Sequence, residues 1–292
     1  MPSVPTLTTT ETHRKVDDFL ASDRSNLRNL VLELLYQFVA LTEETLFAAV
    51  GSQIALSQKP ASFNRSLCRY RTEGLIASVS QDVLKKCLRA GLPKPDVGLR
   101  AYSLGPVGKE YAERKGWNSE VPITLPNDTF LAHDLLCAEA MLRMSNLWLS
   151  HPTSPGQVEV RGPREVLAWN PADKRQTVAP DGMLIKRSKD GSAIERIFLV
   201  EYQNTRALLQ VQTKIKKYIE IASEPEYRWV LSDVWGVSSM PVVLVIYRQG
   251  ATLTDYQEEI ARREEMPVIF ATTSLEDIWA GHLSIKPIKS VG

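Results

Sequence analysis

Little in this sequence could hold a structural metal or a disulfide framework. Cysteine is scarce: Cys68, Cys87 and Cys137 are odd in number and widely spaced, which fits neither paired disulfides nor a zinc site and points to a reducing cytoplasm. The four histidines, His13, His133, His151 and His282, are scattered without ligand spacing, so zinc chemistry is not expected. There is no G-x-S-x-G elbow to present a nucleophilic serine. There is no G-x-x-x-x-G-K-[ST] loop either, so nucleotide hydrolysis is not expected. No apolar run is long enough to span a bilayer. The opening residues, MPSVPTLTTTET, lack the basic start and apolar centre of a signal peptide, so the expected location is cytoplasmic, with no membrane partner. Internal repeats and low-complexity tracts are also missing.

What remains is an ordinary globular composition. Hydrophobic residues make up 43% and charged residues 24%, and 292 residues are enough for two domains with separate cores. The net charge of +1 hides an asymmetry. Residues 21–117 carry 14 Lys and Arg against 9 Asp and Glu, a surplus of +5 that leaves the rest slightly acidic. A basic front half suits nucleic acid, although a surplus of this size is also common on a solvated domain.

Residues 1–20 read as a polar, mobile tail rich in Thr and Pro. A first domain is expected over 21–117. Apolar residues at helical spacing over 29–40 put Leu30, Leu34, Leu35 and Phe38 on one face. Thr42 is a good N-cap for a second helix whose first turn carries Glu43 and Glu44. Ser62 would cap a third helix, closed by Gly74. Residues 75–79 and 100–104 read as strands around a charged excursion, and Gly105-Pro106 opens a last helix. Three helices followed by a two-stranded ribbon is the order of a winged helix-turn-helix. Its third helix would bring Asn64, Arg65, Arg69 and Arg71 to double-stranded DNA, with Arg65 and Arg69 sharing a face four residues apart. Arginine suits both phosphates and guanine edges. The same fold also serves protein contacts.

Residues 118–128 form a polar linker to a second domain, 129–292. It opens with an amphipathic helix over 130–149 that carries His133, Asp134 and Glu139. A strand at 157–160 follows, then a hairpin, a helix over 206–222, a buried strand at 241–247, a charged helix, a strand at 267–273 and a short helix capped by Ser274. Helices alternating with strands predict an α/β layer on a mixed, partly parallel sheet.

The hairpin carries the chemistry. Asp190-Gly191 is a strong turn signal between an apolar strand after Pro180-Asp181-Gly182 and a second strand over 196–203. Asp181 and Glu201 would then converge at one end of the sheet, with Glu139 near enough to complete an acidic cluster. Paired carboxylates suit a hard cation such as Mg²⁺ or Mn²⁺. A Glu after the apolar run 197–200 is costly unless it is paired or binds metal. It could equally serve as partner to a nearby lysine. The segment resembles the PD-(D/E)XK nuclease superfamily, whose signature is Pro-Asp, a spacer and Glu-x-Lys, with Gln203 standing where that family has its lysine.

The order of winged helix first and nuclease-like fold second resembles the replication-relaxation family of plasmids and mobile genetic elements. The likeness rests on the winged helix up to about Gly116, His133-Asp134, Pro180-Asp181-Gly182, and residues 198–205 followed by 214–218. It implies a DNA-binding accessory role in replication or mobilisation, with replication or relaxase proteins as partners and a homodimer as one assembly. The competing expectation is a Mg²⁺-dependent endonuclease in which Asp181, Glu201 and Gln203 are joined by a lysine that has migrated to the next helix. Lys214 is the candidate, since it shares a helix face with Tyr218. The alternative for Lys214, Lys216 and Lys217 is that they solvate the helix or touch phosphates.

Overall fold

The computed structural model describes residues 8–21, 26–53, 60–94, 98–117, 127–151, 156–170, 175–203, 208–248, 253–263 and 266–288. The chain divides into two units, Met1–Glu139 and Ala140–Gly292. Both mix helices with strands, and no helix among the described residues is long and apolar enough to cross a membrane.

The first unit contains α1 (Thr9–Ala21), α2 (Asn26–Phe38), β1 (Ala40–Thr42), α3 (Glu43–Gln53), α4 (Pro60–Thr72), β2 (Ile76–Ser78), α5 (Gln81–Arg89), β3 (Ala101–Leu104) and α6 (Pro106–Arg114), and the start of α7 (Asp128–Leu149). Strand β3 lies between β1 and β2 and is antiparallel to both, with Leu41 opposite Tyr102 and Ala77 opposite Ser103. The predicted apolar face of α2 is buried, and so are Val31 and Leu32, which makes α2 the central helix of the unit. Thr42 caps α3 as expected, its Oγ1 accepting from the Thr45 N–H at 3.2 Å. Gly74 ends α4 at φ 80°, with its N–H bonded to Arg71 O and that of Leu75 to Tyr70 O, the paired bonds of a Schellman turn.

Three features depart from the sequence reading. The expected mobile tail is helical from Thr9. Thr8 and Glu11 form a reciprocal capping box, each side chain accepting the other's backbone N–H. Val16 is fully buried, and Asp17 pairs with Arg114 of α6 at 2.5 Å. Helix α4 begins at Pro60, a favourable first-turn residue, so Ser62 lies inside it rather than capping it. The excursion between β2 and β3 holds a whole helix, α5, capped by Ser80 and seated on Val83, Leu84 and Cys87. Burial, with Glu139 nearby, pushes the Cys87 thiol up to about 12, so this cysteine is a packing residue and not a nucleophile.

The second unit continues from α7 through β4 (Gln157–Arg161), α8 (Pro163–Val166), β5 (Ala168–Asn170), β6 (Arg175–Val178), β7 (Gly182–Arg187), β8 (Ile194–Gln203), α9 (Leu208–Ser223), β9 (Val242–Tyr247), α10 (Leu253–Ala261), β10 (Phe270–Ser274), α11 (Leu275–Trp279) and β11 (Lys286–Pro287). Its six-stranded sheet has the order β11-β10-β9-β8-β7-β4, while β5 and β6 pair separately. Strands β8, β9 and β10 are parallel; β7 joins β8, β4 joins β7 and β11 joins β10 antiparallel. The mixed sheet is therefore as expected. The β7–β8 hairpin turns at Asp190, whose carboxylate accepts from the Ser188 hydroxyl and from the N–H and hydroxyl of Ser192, which holds it down to about 2. On one sheet face Met183, Ile185, Leu199, Val243, Val245 and Phe270 form a core with Val211, Ile215, Tyr218 and Ile221 of α9. On the other, Phe198 stacks on Trp148 of α7 at 5.6 Å between centroids.

One glycine tests the first unit's packing. A Cβ at Gly108 would lie 2.0 Å from the carbonyl oxygen of Leu75, whereas one at Gly98 meets nothing within 4 Å. Alanine favours a helix by about 1 kcal/mol over glycine, but crowding against backbone costs about 1–3 kcal/mol, so the clash wins. Urea unfolding of Gly108→Ala should therefore show loss of stability and that of Gly98→Ala little change. Equal midpoints for the two variants would contradict this packing.

Candidate functional site

Helix α4 has one buried side, Phe63, Leu67 and Tyr70 at helical spacing, and this fixes which residues face outward. Arg65 and Arg69 are exposed, while Asn64 and Arg71 are half-buried. Arg65 Nη2 lies 3.0 Å from Ser62 Oγ, and the Arg69 guanidinium sits over the Tyr70 ring at 5.3 Å with Glu73 at 3.8 Å. The Arg69 side chain is 63% exposed, so its pairing with Glu73 is weak and exchangeable. The helix thus offers two cations on one face, held by light contacts.

The second candidate lies where β7 and β8 meet. Gly182 pairs with Val200, which sets Asp181 beside Glu201 at the end of the ladder. The Asp181 N–H donates to Val200 O at 2.9 Å, and Asp181 Oδ2 accepts the Tyr202 N–H at 2.7 Å. Glu201 is 1% exposed and in the middle of the sheet, opposite Val245 of β9. Helix α9 supplies its partners: Lys214 Nζ donates to Glu201 Oε2, and the Tyr218 hydroxyl donates to Oε1. Gln203 is also buried, two residues along β8 and so on the same face as Glu201.

Electrostatics follow from burial. Desolvation pushes the Glu201 carboxyl above the ordinary range, Lys214 opposes this and Asp181 adds to it. Burial alone would lower Lys214, but the Glu201 and Asp181 carboxylates override it and hold the ammonium above its ordinary value. Tyr218 and Tyr256 are both raised, first by burial and then by Glu201. At neutral pH Lys214 is therefore charged and both phenols are protonated.

These residues do not fit a divalent cation. Both oxygens of Glu201 already accept bonds from a lysine and a tyrosine, and Asp181 Oδ2 is engaged by backbone. Glu139, expected as a third acid, is committed within the first unit. Its Oε1 accepts the Thr42 N–H at 2.8 Å and its Oε2 the Thr45 hydroxyl at 2.5 Å, so it buttresses the start of α3. Among the described residues no group of three or more His, Cys, Asp or Glu is placed to hold a metal ion.

The lysines of α9 divide by helix position. Lys216 is 71% exposed, as the solvated expectation has it, whereas Lys217 is half-buried and bonds Glu220 and the Tyr227 hydroxyl. Lys214 turns inward instead. The sequence reading missed Tyr256 of α10, which is buried close to this group with no hydrogen-bond partner for its hydroxyl among the described residues. Its spacing from Glu259 and Ile260, also buried, was the available signal.

Removing one partner of a buried pair costs about 3–5 kcal/mol, and the Lys214 side chain is 35% exposed, so the lower end applies. Lys214→Met should lose about 3 kcal/mol near pH 8. The loss should shrink towards pH 5. A carboxyl raised above 4.5 in the folded state takes up a proton more readily there than when unfolded, so its penalty grows as pH rises and fades as it falls. Urea midpoints of variant and wild type from pH 5 to 8 measure the difference, and a pH-independent gap would contradict the pairing. In comparisons with known proteins the chain matches no family model, no curated protein and no solved structure.

Proposed function

We propose that the chain is a DNA-binding accessory protein whose second unit is a nuclease-like platform without hydrolytic activity. The observation that carries the reading is α4, with Arg65 and Arg69 exposed opposite a fully buried apolar face. The order α2-β1-α3-α4-β2-β3 with β3 central supports reading this unit as a winged helix, with α4 as the reading helix. The α5 insertion then occupies the wing. Arginines on such a helix contact phosphates first and base edges second.

The non-catalytic half of the proposal is supported by the closure of Glu201 under α9. The likeness of Pro180-Asp181-Gly182 and Glu201-x-Gln203 to the PD-(D/E)XK pattern, and of the whole order to replication-relaxation proteins, extends the reading to plasmid or mobile-element replication and mobilisation. Relaxases or replication proteins would be the protein partners. A second reading, endonuclease, is favoured by one contact alone: Lys214 reaches Glu201 from α9, where the migrated lysine would have to be.

Fluorescence anisotropy on duplex DNA over a salt series tests the first half. Arg65→Ala/Arg69→Ala should weaken binding and flatten the log–log salt slope by about 2, one for each phosphate no longer neutralised. An unchanged slope would reassign this unit to protein contacts. Supercoiled plasmid incubated with Mg²⁺ or Mn²⁺ tests the second half. The wild type should leave it intact, and nicking lost in Lys214→Ala would establish the endonuclease instead.

A further inference from the structure

Helix α5 interrupts the passage from β2 to β3, and the positive charge of the first unit collects there. Residues 79–100 carry five Lys and Arg against two Asp, a surplus of +3 out of the +5 over residues 21–117. One side of α5 is closed: Val83, Leu84 and Cys87 are buried, and Cys87 Sγ lies 3.7 Å from the carbonyl oxygen of Ala132 in α7. The other side is open and presents Lys85, Lys86 and Arg89. Both ends of the helix are pinned. Ser80 caps the first turn, and its hydroxyl reaches Asp128 at 2.9 Å. At the far end the Gly91 N–H bonds Leu88 O and the Leu92 N–H bonds Cys87 O, with Gly91 at φ 95°. That turn buries Leu92 and leaves Lys94 exposed two residues later.

Other helices pair such cations internally, as Lys109 does with Glu113 on α6 and Arg263 with Glu259 on α10. On α5 the one acid is Asp82, itself 85% exposed and 3.4 Å from Lys85, a contact of little worth. Lys86 and Lys94 form no ion pair among the described residues. Lys85 and Arg89 stand four apart, a like-charge spacing that disfavours a helix. A rigidly held row of cations with so little internal compensation is matched by a polyanion whose charges are closely spaced. We propose that α5 is a second phosphate-binding element, gripping the backbone of the same duplex that α4 engages, an inference that rests on the duplex-binding reading. Thr72 at the end of α4 and Gln81 at the start of α5 are nine residues apart. That chain spans at most about 30 Å, within one duplex turn of about 34 Å. Duplex DNA carries a charge every ~1.7 Å of its axis, so the lysines need no fixed register along it. Lysine acts as a point charge and not as a fork, so this grip carries no base preference.

Fluorescence anisotropy of the full chain on two labelled duplexes of unrelated sequence, over a salt series, tests this. The variant is Lys85→Gln/Lys86→Gln, since glutamine keeps the helix propensity of lysine. The log–log salt slope should fall by about 2 on both duplexes, and by about 4 when this pair is combined with Arg65→Ala/Arg69→Ala. Both lysines are exposed, so a circular-dichroism melt should match the wild type. Lys94→Gln, which lies outside the helix, should lower the slope by about 1 on its own and so keeps the test open if α5 is disturbed. A slope unchanged in the Lys85/Lys86 and Lys94 variants but lowered by Arg65→Ala/Arg69→Ala overturns the α5 proposal and leaves duplex binding standing. A fall confined to one of the two sequences also overturns it, because that marks base reading. No duplex binding by the wild type removes the reading and the proposal together.

Discussion

The second unit depends on the burial of one carboxylate. Glu201 lies in β8, a central strand flanked by β7 and β9, and is shut off from water. A lone ion in such a place would cost far more than the few kcal/mol by which a domain is stable, so its partners are structural requirements. They come from α9, where Val211, Ile215, Tyr218 and Ile221 already line the core. That stripe sets the rotation of the helix, and the rotation brings Lys214 and the Tyr218 hydroxyl onto the two oxygens of Glu201. Packing and charge thus select the same orientation of α9. Both oxygens of Glu201 are thus engaged by α9.

Different physics governs the first unit. There the buried acid is Glu139, satisfied by a backbone N–H and a hydroxyl at the start of α3, where the helix dipole favours negative charge. On α4, by contrast, Arg65 and Arg69 are exposed. They are held only by weak local contacts, to Ser62 and Glu73.

Much of this was legible from sequence where the signal is local. The Asp190-Gly191 turn, the apolar run of β9, the Thr42 and Ser274 caps and the Gly74 stop all sit where short-range chemistry puts them. The N-terminal helix was also locally encoded, in the Thr8–Glu11 capping box, but its polar composition outweighed that signal. What depends on distant segments meeting was not legible. Spacing shows that Lys214 and Tyr218 share a face, yet not that this face covers β8. Equally, nothing local in Glu139 tells that Thr42 and Thr45 would claim it, and the Trp148–Phe198 stack joins residues fifty positions apart in the chain.

The central claim is that the Glu201 group is a closed internal ion pair. The most direct measurement is Mn²⁺ binding to the full chain, by calorimetry and by the paramagnetic signal of the free ion, in wild type and Asp181→Ala. The account predicts no saturable site below about 1 mM in either protein, because the donors are already bonded. A single site of tighter affinity in the wild type that disappears in Asp181→Ala would contradict it.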